Sequence, residues 1–522
     1  MEKVVSKDIE EIHSHFQDLT SNEVQQCYRQ AHHEVNRRVK QLAVFENIDE
    51  TLIARDERLQ GEIEDSIRNL TLSYLQYHRD QDNYGHKYEH IFDFVEKENL
   101  TDVFFEQSVT QGHPFHPMTK TKLGFTHQDV LNYAPEFRNT AHVIPVLCDK
   151  SLVTVMGTQR SEKFTQFYHH VTDYCRQHHI EMDNYDILFI HEWQLKHYMR
   201  AQYSQLFDSN QLIPLYDLAI AANPLLSFRT LDIPSLDSII KTAINVQATS
   251  AVRNVSPASI NNGVVLSKEV SRIYNHSTYH HSYIQKDLAG AHLNIDPQNA
   301  NKCSYLIRET IPSTPDVHNV VCASLITKSF ITDKPIVIEC IEQLMTCEQL
   351  EFHEAATQFM KRYSEILLEA TYKLMLEEHI SLEAHMQNST VVIKNGKPQA
   401  IYIRDFGGVR LFDRDCEIDA STGLLTTEFE ELLAVFTHSV LYNHLFQLIH
   451  VLAEYNYPAS QCHQLIADMI RRYNEQLQPE IDVLQQPHFR IKSLLKMRIY
   501  EDGYDYQHTV VDNPLYGKGG QA

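Results

Sequence analysis

Residues Ser389 to Asp405 read STVVIKNGKPQAIYIRD, two β-branched and aromatic runs joined at Asn395-Gly396. An Asn-Gly pair readily supplies the positive φ angles of a tight turn, so this stretch predicts a β-hairpin. Pairing its strands brings Glu383 to Asn388, just before the first strand, close to Asp405 at the end of the second. Two carboxylates, Glu383 and Asp405, then face one site beside His385, Gln387 and Asn388. Carboxylates are the hard oxygen ligands that Mg²⁺ prefers, and Mg²⁺ commonly takes one or two of them, leaving its other positions to phosphate and water. One such residue alone reads as an ordinary strand-end charge; the cluster points to nucleotide or metal chemistry without naming a reaction.

The chain's 522 residues carry 46 Lys plus Arg against 69 Asp plus Glu, a formal charge of −23. That length suggests two to four lobes. The acidic balance argues against a surface for phosphate backbones, hence no nucleic-acid partner, but says nothing of a local basic pocket. The start, MEKVVSKDIEEIHSHF, lacks the apolar core of a signal peptide, and no membrane-spanning segment is expected. The nine cysteines show no CxxC pair, which predicts neither a disulfide framework nor a thiolate zinc site and fits a reducing cytoplasm. Tyr279-His280-His281-Ser282 is not read as a metal site, because adjacent residues of an extended segment point in opposite directions.

Residues from about Asn22 to Leu75 read as helical, with no Gly or Pro between Asn22 and Gln60. From about Val103 to Ile311, short apolar runs such as HVIPVLC and DILFIHEW alternate with Pro and Asn, the pattern of an α/β or largely β lobe. After Cys347 helical patterning returns in EFHEAATQFMKRYSEILLEATYKLMLEEH and EELLAVFTHSVLYNHLFQLIHVLAEY.

Two further segments are candidates for holding an anion. The loop from Gly112 to Phe125, GHPFHPMTKTKLGF, has two prolines that restrict its backbone, presenting His116, Lys120 and Lys122; the alternative is a solvated surface loop. The run from Lys241 to Asn254, KTAINVQATSAVRN, ends a strand-like alternation in hydroxyls and a guanidinium, with Ser250, Arg253 and the later Arg272 suited to phosphate. Arg308-Glu309 reads equally as a structural ion pair. No GxxxxGKS or GxGxxG signature is present, which excludes a P-loop or Rossmann assignment.

Together with IHEWQ (Ile190 to Gln194), NNGVVLS, LIRE, LEAHMQN, RDFGG, KSLLKMR from Lys492 and Asn513-Pro514-Leu515, these segments resemble the aerobactin-synthetase-like (IucA/IucC) family of siderophore synthetases that work independently of nonribosomal peptide synthetases. The resemblance covers most of the chain. It implies an α+β, multi-lobed cupped hand: a helical thumb over 1–106, a fingers lobe with ATP motifs over 107–310, and a palm over 311–522. It implies an ATP-dependent ligase that converts a carboxylate of citrate, or of a citryl intermediate, to an acyl-adenylate, which an amine or hydroxyl then attacks. By motif position, His116, Lys120, Lys122, Ser250 and Arg253 would contact the triphosphate, and Gln387 and Asn388 would help position nucleotide or metal. Glu383 and Asp405 would hold Mg²⁺, His385 and Arg272 would lie at the reacting groups, and Lys492 and Arg498 would meet the acidic substrate or brace the palm. A cytoplasmic homodimer is also implied.

Three positions depart from the family pattern: Lys122 stands where Arg is usual, Asn254 where Thr is common, and Glu192 in place of Pro in HPWQ. Rival readings are the same chemistry on 2-oxoglutarate, or a catalytically silent metabolite binder or scaffold. The intact set of Glu383, His385, Asn388 and Asp405 speaks against the silent binder.

Overall fold

The computed structural model describes residues 2–159, 161–249, 251–275, 278–295, 299–412, 414, 417–419, 422–500 and 507–518. Ser250 therefore lies outside the described residues.

The N-terminal helices start at side-chain caps. Thr20 and Glu23 form a reciprocal capping box before Ser21–Phe45, and the Asp56 carboxylate accepts from the Leu59 N–H at the start of Glu57–Tyr84. Apolar residues at helical spacing, among them Val24, Ala31, Val35, Leu42, Ile63, Ile67 and Leu70, close one core between these helices.

A nine-stranded sheet follows. In it Thr230–Ile233, Ser238–Thr242 and Ser304–Glu309 lie side by side, with Thr230 opposite Lys241 and Lys241 opposite Leu306. Because strand side chains alternate, Leu231, Ile233, Ile240, Tyr305 and Ile307 enter the lobe's own core. The other face carries Thr230, Lys241 and Arg308. One alternation thus builds a core and a polar wall.

The expected hairpin is present. Ser389–Lys394 pairs antiparallel with Lys397–Ile403, Ser389 opposite Ile403, around Asn395 (φ 52°) and Gly396 (φ 74°). A Cβ on Gly396 would sit 2.1 Å from the Cys340 carbonyl oxygen, so the turn admits glycine on steric grounds as well. The hairpin is flanked by His318–Val321 and, in parallel, by Ser282–Ile284. Its inward residues Val391, Ile393, Ile401 and Ile403 join the largest core. The two long helical segments seen in the sequence are Phe352–Leu368 and the run from Phe429, and both pass through π-helical turns, at Glu369–Lys373 and Thr437–Leu445. The run Phe429–Glu454 is long and apolar enough to cross a bilayer by length and composition, but 61% of its most apolar window is buried inside the protein, as befits a core helix.

The cores do not simply follow chain order. Phe92, Phe94, Phe104 and Phe105 pack into the C-terminal core, as do Leu266, Val270 and Ile273 of the helix Pro257–Tyr274. The α+β architecture agrees with the fold class expected from the sequence.

Candidate active site

A cavity of about 270 Å³ opens where the polar face of the nine-stranded sheet meets the end of the hairpin. The nine-stranded sheet side supplies Arg229, Lys241 and Arg308, the strand Ala251–Arg253 of a separate three-stranded sheet supplies Arg253, and the hairpin side supplies Glu383, His385, Gln387, Asn388, Arg404 and Asp405. Five cationic side chains thus face two carboxylates in a protein of net charge −23.

The hairpin pairing extends to the cavity's edge: the Arg404 N–H donates to the Asn388 carbonyl, 2.9 Å. Asp405 then turns into the left-handed region, φ 69°, a conformation Asp tolerates better than most residues, and its carboxylate meets Lys241 Nζ at 2.5 Å. Burial opposes ionisation of Asp405, yet Lys241 and Arg308 hold its carboxyl well below the usual range. Glu383 is likewise opposed by burial but held low by Lys492, whose Nζ lies 3.1 Å from Oε1, and by His385. Burial pushes the His385 imidazole down while Glu383 and Asp405 draw it back, leaving it below its ordinary value and hence neutral near pH 7.

The Glu383 segment is braced from behind. Asn388 Nδ2 donates to the Glu383 carbonyl, 3.1 Å, and Ser389 Oγ to that of Ala384, 3.2 Å. His444 Nδ1, 2.8 Å from the same Ala384 oxygen, and Ser439 Oγ, bonded to the Leu382 carbonyl, come from the π-helical turn, the kind of helix irregularity that often accompanies function. Arg404 ties the Gln387 carbonyl to Glu106, whose other oxygen accepts from the Leu226 N–H, so one carboxylate joins both sides of the cavity.

Two guanidiniums stand out. Arg308 is matched by Asp287 at 2.6 Å, but neither Arg229 nor Arg253 forms an ion pair among the described residues. Among the described residues Arg229 bonds the Asn254 carbonyl and leaves its Nε buried without a partner, while Arg253 bonds Thr249 Oγ1 at 2.6 Å. Burial, with Arg253 nearby, brings Arg229 down to about 9. Asn254 Oδ1, also on the cavity wall, is buried and unpartnered too. Buried charges and polar groups are normally paired, so this wall is built to receive an anionic, hydrogen-bonding ligand.

The structure thus brings together Arg253, Glu383, His385, Gln387, Asn388 and Asp405. It takes Arg272 out of the set: that side chain is 73% exposed in the last turn of Pro257–Tyr274, paired with Glu269 at 3.0 Å. Lys120 is also turned away, its ammonium buried against Glu136 at 2.9 Å and the Val109 carbonyl. This pair is structural, and Lys120→Ala, which strands the Glu136 carboxylate, is expected to destabilise the protein by about 3–5 kcal/mol in denaturant titration. His116 is buried and pushed down to about 3 by burial, with His113 and Arg253 adding to the effect; its Nδ1 accepts from the Met118 N–H. Lys122 is 6% exposed, and its ammonium has no ion-pair partner among the described residues. Neither His116 nor Lys122 lines this cavity. Lys492 reaches it through Glu383, whereas Arg498 is locked to the buried Glu62 of the N-terminal helix and acts as a brace. Arg229, Lys241 and Arg404 were not singled out by sequence as site residues; Lys241 began a motif already marked, but Arg229 sits in no motif.

The IucA/IucC family profile matches residues 101–327, and a ferric iron reductase FhuF-like transporter profile matches residues 357–507. Residues 101–327 thus carry the IucA/IucC family signature. Its similarity to the staphyloferrin A synthase of Staphylococcus aureus (strain NCTC 8325 / PS 47) is 28% identity over 444 residues, covering 82% of this chain and 74% of the relative. The D-ornithine--citrate ligase of the same strain is 25% identical, covering 89% and 77%. Among solved structures, the ATP-bound aerobactin synthetase IucA from a hypervirulent pathotype of Klebsiella pneumoniae shares the fold with a TM-score of 0.75 at 16% identity, over 94% of this chain and 87% of that one.

Within the IucA/IucC region the IHEWQ motif is a structural staple. Gln194 accepts from the Asn245 N–H, 2.7 Å, and donates to the Lys302 carbonyl, 2.8 Å. Glu192, where the family usually has Pro, accepts from the His142 N–H at 2.9 Å, a contact of its own that replaces proline's rigidity. Glu192→Ala is therefore expected to lower the thermal midpoint modestly, by about 1–2 kcal/mol of stability, with kcat/KM unchanged.

Proposed function

We propose that this protein is an ATP-dependent siderophore synthetase that joins a carboxylate of citrate, or of a citryl intermediate, to an amine or hydroxyl through an acyl-adenylate. The observation that carries this reading is the cationic wall of Arg229 and Arg253, in no ion pair among the described residues, opposite the carboxylate pair Glu383 and Asp405. Two relatives carry citrate or a citryl group in their names: one is a D-ornithine--citrate ligase, another the N(2)-citryl-N(6)-acetyl-N(6)-hydroxylysine synthase of Vibrio mimicus.

A free carboxylate is a poor acylating agent. In the first step its oxygen attacks the α-phosphorus of ATP, the bond to the bridging oxygen breaks, and pyrophosphate leaves. In the second, the amine nitrogen attacks the acyl carbon, the bond to AMP breaks, and the nitrogen gives up a proton. Arg229 and Arg253 stabilise the charge that gathers on phosphate oxygens in the first step, where fixed cations help most. His385, neutral and between the carboxylates, is the acceptor for the amine proton in the second.

Glu383 and Asp405 fit Mg²⁺ that arrives with the triphosphate. Each is an ionised carboxylate now neutralised by a lysine, and no cluster of three metal-ligating side chains exists among the described residues, as suits an ion held mainly by phosphate and water. Bound there, Mg²⁺ supplies charge neutralisation at the phosphates. The eight described cysteines are all unpaired, in keeping with a cytoplasmic enzyme. A homodimer remains the expected assembly, to be measured by sedimentation.

The test is exchange of labelled pyrophosphate into ATP by the purified protein with citrate, 2-oxoglutarate, succinate or no acid. Citrate-dependent exchange is expected. Exchange with 2-oxoglutarate alone reassigns the acid, and ATP binding with no exchange on any acid or citryl conjugate contradicts the reading.

A further inference from the structure

A second cavity, of about 300 Å³, adjoins the first behind Glu383. Its walls are two regular surfaces. On the helical run from Phe429, Glu431, Ala434, Val435 and His438 recur at helical spacing; on the strand His488–Lys492, Arg490 and Lys492 share the face opposite the buried Phe489 and Ile491. Arg410 closes the pocket, with Nε 3.5 Å from Glu431 Oε2. Glu430 and Arg490 also line it, and neither has an ion-pair partner among the described residues. The partition from the ATP-side cavity is thin. Lys492 lines one cavity and bonds Glu383 of the other, and Gly408, between them, has no side chain.

We propose that this second cavity seats the incoming nucleophile and that the nucleophile is an amine bearing its own carboxylate, an amino acid or its conjugate, rather than a bare polyamine. This rests on the ligase reading above. The pocket is bipolar: Glu430 suits an ammonium and Arg490, with its planar fork, suits a carboxylate, while Arg410 and Glu431 already pair with each other. A polyamine would satisfy Glu430 but leave Arg490 repelling its second ammonium. The nucleophile's reacting end would point past Lys492 and Gly408 to the acyl group beside Glu383, and its carboxylate would stay with Arg490 at the mouth.

The experiment compares matched amines that differ only by a carboxylate: ornithine against 1,4-diaminobutane, and 2,3-diaminopropanoate against 1,2-diaminoethane. Wild-type enzyme and Arg490→Ala are assayed for amide formation and, separately, for acid-dependent pyrophosphate exchange. Wild type is expected to favour the carboxylate-bearing member of a pair by about tenfold or more in kcat/KM. Arg490→Ala is expected to raise the KM for that amine by about tenfold, erase the preference and leave exchange within about twofold, with Arg490→Lys restoring part of the loss. Loss of exchange in Arg490→Ala would show that the pocket holds the acid and would overturn the proposal. Equal or better use of the bare diamines by wild type would also overturn it. Absence of exchange with every acid in the wild type would sink the ligase reading, and this proposal with it.

Discussion

Arg229→Met is expected to yield a protein at least as stable as its parent and almost inert. Its Nε is buried without a partner, the side chain forms no ion pair among the described residues, and burial has pulled the guanidinium down to about 9. An uncompensated buried charge destabilises a fold, so an unbranched apolar side chain of similar length removes a liability. The same charge, aimed at a cavity shared with Arg253, is what an anionic transition state would use, and removing one such group commonly lowers kcat by about 10²–10³-fold. Thermal unfolding beside pyrophosphate exchange reads both effects at once. A variant that loses stability and keeps activity would make Arg229 a structural residue and remove the main support for a phosphate wall.

Gly408→Ala is the second substitution with a large expected effect. A Cβ at Gly408 would lie 2.0 Å from Glu383 Oε2 and 2.3 Å from its carboxyl carbon, so the carboxylate must move. Glu383 is held by Lys492 at 3.1 Å and by a backbone braced through Asn388, which leaves displacement of the carboxylate rather than of the chain as the relief. Misplacing a reacting or metal-holding group by about 1 Å costs about 10²-fold in rate. Gly408→Ala is thus expected to fold, to bind ATP more weakly when Mg²⁺ is present, and to lose about 10²-fold or more in exchange, while Gly407→Ala, whose added Cβ meets nothing closer than 3.6 Å, stays close to wild type. The comparison is a rate measurement on two neighbouring glycines. Equal loss in both would trace the defect to the backbone of the turn instead.

The hairpin and its carboxylates were legible in the sequence because the signals are local. Asn395-Gly396 sets the turn, alternation sets the strands, and pairing then carries Glu383 toward Asp405 without help from the rest of the chain. Arg229 was not legible, since it lies in SFRTL with no motif of its own. It reaches the site only because Thr230 is registered against Lys241, itself opposite Leu306, across three strands. Lys120 looked like a solvated or phosphate-seeking lysine by composition, but Glu136, 16 residues later, folds beneath it and takes its charge. Arg272 is not brought to the cavity with Arg253. The apolar period of Pro257–Tyr274, with Ile260, Gly263, Ser267, Val270 and Ile273 inward, sets Arg272 on the outer face beside Glu269, a signal present in the sequence. The long-range match of Lys492 with Glu383 joins residues 109 positions apart, which no local pattern announces.

The most direct test of acyl-adenylate chemistry follows the oxygen. With citrate labelled by ¹⁸O in its carboxylates, ATP, Mg²⁺ and an accepted amine, one labelled oxygen should appear in AMP for each amide formed, because the carboxylate oxygen that attacks the α-phosphorus leaves with it. Label in inorganic phosphate with formation of ADP, or amide formed with unlabelled AMP, would contradict the account.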